Sequence, residues 1–256
     1  MLAVAVASLL AVVSLVTVTA IVARAGGRVV VVDIAWGLGF VLVALVAAVV
    51  GTNPVRWWLF VLVAVWGGRL AWHVGRRVLA TTDEDPRYAE MLDGKPFSYA
   101  VTRVFVTQGV ALWFVSLPVQ VAAGTDTASW SGLTWIGALV WATGLVFESV
   151  GDHQLAAYRQ QPRDSKPPVM ETGLWRYTRH PNYFGDACVW WGIWLAGAGA
   201  SGWVLATVLS PVVMAYFLLF ATGAKLLERT MMQRPGYPEY AARTSMFFPL
   251  PPKRVS

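Results

Sequence analysis

The chain has 256 residues, 57% hydrophobic and only 13% charged, with a formal net charge of +6. Soluble domains carry about 25% charged residues, so the composition describes an integral membrane protein. It excludes a soluble nucleic-acid-binding module, which needs a basic face on a polar body. The single Cys188 excludes an intramolecular disulfide and a cysteine-based zinc or iron–sulfur site. The three histidines, His73, His153 and His180, show no spacing that argues for a metal.

Crossing a bilayer takes roughly 17–25 apolar residues. Seven runs qualify, at about 2–23, 29–50, 57–79, 101–122, 130–151, 183–200 and 202–224, the sixth being the shortest. At the end of the first, Ala23-Arg24-Ala25 resembles a signal-peptide cleavage site. No Lys or Arg precedes that run, however, and it is too long for a signal's apolar region, so a span is expected. With the N-terminus outside, the loops after spans 1, 3 and 5 and the C-terminal tail share the inner side. Those segments, with Arg76, Arg77 and Arg103 at the inner ends of spans 3 and 4, hold eighteen of the twenty basic residues, with Arg56 outside and Arg69 deeper within span 3. Such a bias sets the orientation: a single seven-helix membrane domain in the cell membrane, its C-terminus cytoplasmic. The long polar excursions, 80–100, 159–182 and the tail from 225, all fall on that inner side.

In chain order, the first polar residue of note is Asp33, near the inner end of span 2. Span 3 carries Arg69, His73 and Arg76 at offsets of four and seven, which share a helical face. Arg69 lies roughly 11 Å along the helix from Arg76 and, buried, needs an anion. Asp33 is the partner to expect, either as a helix-to-helix ion pair or in a catalytic role. Glu148, Asp152 and Arg159 line one face of span 5 and its extension.

Residues 171–186 read Glu-Thr-Gly-Leu-Trp-Arg-Tyr-Thr-Arg-His-Pro-Asn-Tyr-Phe-Gly-Asp, immediately before an apolar run. Ionisable groups at a membrane boundary cost several kcal/mol each unless they meet partners, water or a ligand. Pro181 suits the first turn of a helix, which places Asn182 and Asp186 on one face with Tyr183 beside them. Arg179 and His180 stand before that helix, where an anion is favoured and bare cations are not. A phosphate reconciles them; lipid headgroups or acidic side chains do so equally. In the tail, Lys225, Glu228 and Arg229 share a helical face, followed by Arg234-Pro235-Gly236-Tyr237, and Phe247-Phe248-Pro249 is an aromatic end able to dock back on the bundle.

The stretch from Gly173 to Asp186 resembles the R-H-x-N-Y-x-G-D signature of membrane sterol reductases and the corresponding segment of steroid 5α-reductases. With Asp33-Ile-Ala-Trp-Gly, Glu84-Asp85-Pro86-Arg87-Tyr88 and the Arg-Pro-Gly-Tyr tail, the whole chain looks like the bacterial family DUF1295, of the steroid 5α-reductase-like group. The resemblance implies a seven-span all-α bundle with substrate-side helices in 1–123 and a cofactor-binding half in 130–256. It implies NADPH held from the cytoplasm by Asp152, Arg159, Arg179, His180, Asn182, Tyr183, Asp186, Arg229 and Tyr237. Steroid 5α-reductases hold their enone with a Gln-x-x-x-Glu pair and a tyrosine. This chain has no such pair, its first glutamine being Gln108, and aligning His73 to Arg77 puts Val74 at the tyrosine. Asp33 and His73 are the available acids.

The expected function is therefore an NADPH-dependent reductase of a C=C bond in a steroid-like or other lipid taken from the bilayer, with no metal, nucleic acid or protein partner required. Arg179-His180-Pro181-Asn182-Tyr183 also fits the R-H-P-x-Y motif of S-adenosylmethionine-dependent membrane methyltransferases of the isoprenylcysteine or phospholipid type. A non-enzymatic lipid-binding protein is the third reading. Cofactor binding separates the three.

Overall fold

A computed structural model describes residues 1–126, 130–162, 164, 166–221 and 223–253; Arg163 and Arg254, counted above for sidedness, lie outside them. The described residues form helices and no strand: α1 (Leu2–Gly26), α2 (Val31–Val50), α3 (Arg56–Leu79), α4 (Pro86–Leu92), α5 (Phe97–Ala100), α6 (Thr107–Val115), α7 (Leu117–Ala123), α8 (Gly132–Gln160), α9 (Pro181–Ala200), α10 (Leu209–Tyr216), α11 (Ala224–Met231) and α12 (Tyr237–Arg243). The chain is an all-α membrane protein.

Exactly seven spans is not confirmed among the described residues. Five helices, α1, α2, α3, α8 and the stretch Gly202–Met231, are long and apolar enough to cross a membrane. Phe97–Val115 with Leu117–Ala123, bent by 45°, makes six. The expected sixth span, 183–200, is helical as α9, but that helix does not reach the same apolarity. Asn182, Asp186 and four glycines dilute it, and much of its surface is buried in protein.

Two compact units make up the chain: Met1–Trp135 with Ile193–Ser210, and Ile136–Gly192 with Pro211–Ser256. In the first, α2 lies between α1 and α3. Its contact with α3 is backbone to backbone: a Cβ on Gly37 would stand 2.7 Å from the Gly67 carbonyl oxygen, and one on Gly67 equally close to that of Gly37. Small residues permit such an approach, and in lipid it is the packing that holds helices together. Phe40 and Trp66, fully buried, meet edge to face at 5.5 Å. At the far end of α2, the Thr52 and Asn53 amides donate to the Ala123 carbonyl.

The start of α2 depends on distant chain. Helix α1 ends on Gly27 at φ 68°, whose N–H returns to the Ala23 carbonyl. The next helix follows at once, and its N-cap, Val30, has no capping side chain. Glu84 supplies the acceptor instead: its carboxylate takes the N–H of Val29 and, at 3.0 Å, that of Val30. A carboxylate at a helix N-terminus also meets the favourable end of the dipole.

In the second unit, α8 and α9 pack through glycines seven residues apart, Gly137, Gly144 and Gly151 on one helix and Gly185 and Gly192 on the other. A Cβ on Gly185 would lie 2.4 Å from the Glu148 nitrogen, and one on Gly192 2.4 Å from that of Trp141. A seven-residue period holds one stripe toward the partner helix along its whole length. The segment before α9 is tied to the tail. Tyr240 donates to the Trp175 carbonyl at 2.5 Å, Thr178 pairs with Ser245 in an isolated bridge, and Leu250 N donates to the Tyr177 carbonyl. Phe247 and Phe248 pack against Phe184 at 5.8 and 6.1 Å, so the aromatic end docks as expected.

Candidate functional site

The Arg179-His180-Pro181-Asn182 segment is set between the end of α8 and the tail. His180 precedes α9, and its carbonyl accepts the Phe184 N–H at 3.0 Å, the helix's first-turn bond. Asn182, one turn before Asp186, donates Nδ2 to Asp152 Oδ1 at 3.1 Å. Its Oδ1 is buried and accepts no hydrogen bond among the described residues. Asp152, Asp186 and Glu148 are themselves buried, at 8%, 8% and 3% exposure. The close approach of Gly185 to Glu148 brings their two helix segments together.

Three expected residues, Arg179, His180 and Tyr237, gather around an acid that sequence reading placed only as one of a charged face, Glu228. Arg179 donates Nε and Nη2 to its two oxygens at 2.6 and 2.9 Å, and Nη1 to the carbonyls of Ala241 and Thr244, both at 2.7 Å. His180 Nε2 lies 3.1 Å and the Tyr237 hydroxyl 3.4 Å from Glu228 Oε1. The His180 ring stacks parallel on Tyr183, centroids 5.4 Å apart. Arg159 and Arg229 are exposed, so the arginines expected to share an anion have different surroundings. The signal that could have exposed Glu228 was charge: two adjacent cations before a helix N-terminus call for an anion, and side chain and ligand satisfy that demand alike.

In the first unit, Asp33 is held by residues of the Glu84–Tyr88 motif. Tyr88 donates its hydroxyl to Asp33 Oδ1 at 2.6 Å, and Arg87 Nη2 donates to Oδ2 at 2.9 Å. Gln108 Nε2 donates to the Tyr88 hydroxyl at 3.3 Å, and Asp85 caps α4 by accepting the Arg87 N–H at 3.0 Å. The Arg87 guanidinium, also bonded to Asp85, holds that carboxyl below its ordinary range. The cation met by Asp33 thus comes from the loop after span 3, where Arg69 had been expected. His73 is half-buried on α3. Asp33→Ala should leave the buried Tyr88 hydroxyl without its acceptor, lowering stability by about 1–3 kcal/mol in thermal unfolding of the detergent-solubilised protein. Beside Gln108 opens an apolar pocket lined by Leu15, Val16, Trp36 and Leu112.

Burial pushes the phenols of Tyr88, Tyr237 and Tyr240 well above their ordinary range, assisted at Tyr88 by the Asp33 carboxylate and at Tyr237 by Glu228. Unfolded phenols ionise near 10, so above that pH the unfolded chain binds fewer protons than the folded one. Stability is therefore complete below about pH 10 and falls as pH rises beyond it. Phenolate absorbance should show these three tyrosines ionising with the unfolding transition rather than before it.

An all-helical membrane protein with one polar cluster on α8 and α9 and a second on α2 and α4 is the class this geometry defines. The chain belongs to the family described as "Protein of unknown function (DUF1295)", whose profile matches residues 19–244. It is also similar to the uncharacterized protein C594.04c of Schizosaccharomyces pombe, 25% identical over 218 residues. That match covers 73% of this chain and 61% of the yeast protein, so the chain spans about three fifths of that relative's length. No solved structure matches it.

Proposed function

We propose that the protein is a membrane-embedded reductase that uses NADPH to reduce a C=C bond of a lipid drawn from the bilayer. The observation that carries this reading is the Asn182 side chain. Asp152 orients it through Nδ2, while its buried Oδ1 lacks a donor among the described residues. A carboxamide N–H, such as that of nicotinamide, supplies the missing donor, and a buried acceptor left empty costs about 1–3 kcal/mol. At the other end of the cofactor, exposed Arg229 is a cation within the same unit that can meet a phosphate. NADPH bound there supplies a hydride.

The acidic character of the site favours hydride transfer over methyl transfer. Buried Glu148, Asp152 and Asp186 stabilise the positive charge that a nicotinamide gains on giving up hydride. The same carboxylates oppose methyl transfer from S-adenosylmethionine, which discharges a sulfonium. Only interactions stronger in the transition state accelerate a reaction.

Titrating nanodisc-embedded protein with NADPH and, in parallel, with S-adenosylmethionine tests the reading. Saturable NADPH binding, and NADPH oxidation that requires an unsaturated lipid, are expected. Asn182→Ala and Asp186→Ala should lower turnover by roughly tenfold to a few hundredfold. Binding of S-adenosylmethionine alone hands the site to a methyltransferase; binding of neither leaves a lipid-binding protein.

The one-sided distribution of the basic residues supports a site on the cytoplasmic side of the cell membrane, with the N-terminus outside. Reporter fusions after residues 52, 126 and 201 should read outside, and those after 92 and 256 inside. An inside signal at 126 would break this orientation.

A further inference from the structure

Glu228 lies 49 residues beyond Arg179 in the chain and 48 beyond His180, yet its carboxylate accepts from both. The pair is largely out of solvent, the Arg179 and Glu228 side chains being 11% and 12% exposed. A guanidinium has five N–H groups. Four of those on Arg179 are taken, two by Glu228 and one each by the Ala241 and Thr244 carbonyls. Its charge is met by a carboxylate and its donors point to fixed protein acceptors, which leaves little of it for a ligand phosphate. A carboxylate can only accept, so His180 Nε2 donates to it. That fixes the ring whose other contact is the parallel stack on Tyr183. The His180 carbonyl meanwhile accepts the first-turn bond of α9. One acid on α11 thus holds both residues that precede the helix carrying Asn182.

We infer that Glu228 is a positioning residue: by seating Arg179 and His180 on one carboxylate it fixes the first turn of α9, and with it Asn182 against Asp152. Arg179 is then a strut and not an anion ligand. The functional half of this inference rests on the reading of Asn182 and Asp152 as the cofactor site.

The sign of one effect decides between strut and ligand. If Arg179 bound a cofactor phosphate, Glu228→Gln would remove a repelling charge and free the guanidinium, and NADPH would bind more tightly. If Arg179 is a strut, the same substitution loosens the first turn of α9 and NADPH binds about tenfold more weakly or worse. The experiment compares wild type, Glu228→Gln, Arg179→Gln, the double variant and Asn182→Ala with and without Glu228→Gln, all in nanodiscs. NADPH affinity is measured below the melting temperature of the least stable protein, where mere destabilisation does not change it. Weaker binding in Glu228→Gln, with no further loss when it is added to Asn182→Ala, is the expected result. Tighter or unchanged binding overturns the inference.

Thermal unfolding of the Arg179/Glu228 set is independent of any cofactor. The double variant should melt close to the less stable single variant, whereas additive shifts would show that the two residues do not act together and would overturn the strut. If wild type binds S-adenosylmethionine in place of NADPH, the reductase reading fails, and the same affinity comparison with S-adenosylmethionine decides the positioning role. If it binds neither, both the reductase reading and the cofactor-positioning role fall, and the unfolding set still decides whether Arg179 and Glu228 form a strut.

Discussion

Gly185→Val is expected to prevent the protein from reaching a stable folded state in detergent. The position has no room: even a single Cβ would stand 2.4 Å from the Glu148 nitrogen and 2.5 Å from the Gly144 carbonyl oxygen. Both neighbours are backbone, so no side chain can swing aside, and relief requires α8 and α9 to separate. Overpacking that side chains can absorb costs about 1–3 kcal/mol. Here the seam itself must open, the contacts at Gly144 and Gly192 are lost with it, and a cost above about 3 kcal/mol follows. The separation would also part Asn182 from Asp152. Gly68→Ala in α3 is the control, since a Cβ there meets nothing within 4 Å. Replacing a helical glycine by alanine gains up to about 1 kcal/mol. Melting temperature and the monodisperse fraction after solubilisation measure both variants. A Gly185→Val protein that melts with wild type would show that the two helices do not approach as described.

Arg179→Ala carries the second large effect. Among the described residues it leaves Glu228 with His180 and Tyr237 as partners and removes the Nη1 donor from the Ala241 and Thr244 carbonyls. Removing one member of a buried ion pair costs about 3–5 kcal/mol, mostly because the remaining charge is uncompensated. That loss should appear as a lowered melting temperature without any cofactor present. It should be accompanied by loosening of the tail, because the two Nη1 bonds to the Ala241 and Thr244 carbonyls are lost and the backbone N–H bond to the Ser245 carbonyl, at 2.9 Å, is all of Arg179 that still holds it. Proteolytic susceptibility of the segment after α12 reads that loosening. A variant as stable and as protease-resistant as wild type would mean that the Arg179–Glu228 contact contributes nothing in solution.

Helix content and membrane character were legible in the sequence because each depends on local composition. An apolar run of bilayer length must satisfy its own backbone, and a helix does so without reference to the rest of the chain. Six of the seven expected runs meet the test of length and apolarity, one of them as a bent pair. The remaining run, 183–200 in α9, shows the limit of that reading. Its glycines and polar residues lower its hydropathy because its surroundings are largely α8 and other protein, and the sequence window sees composition but not neighbours. The docking of Phe247 was also legible, as an aromatic end with no other use.

Partners could not be read in the same way. Asp33 was expected to pair with Arg69, which needs an anion; that the cation it meets is Arg87, with Tyr88 beside it, depends on the loop after α3 folding back over the start of α2. Likewise, the two cations before α9 announced a requirement for negative charge. Whether a ligand or a side chain meets it depends on where α11 comes to lie, and the structure puts Glu228 there. The sequence by itself determined which segments are helical, which are fit for lipid and where charge accumulates, since these are properties of residues near one another in the chain. Only the tertiary structure decided which charges neutralise each other and that Asn182 Oδ1 is one of the buried polar atoms left without a donor among the described residues. Hydrogen bonds and ion pairs act over about 3 Å and join residues here 30 to 65 positions apart, a separation at which the chain pattern carries no distance information.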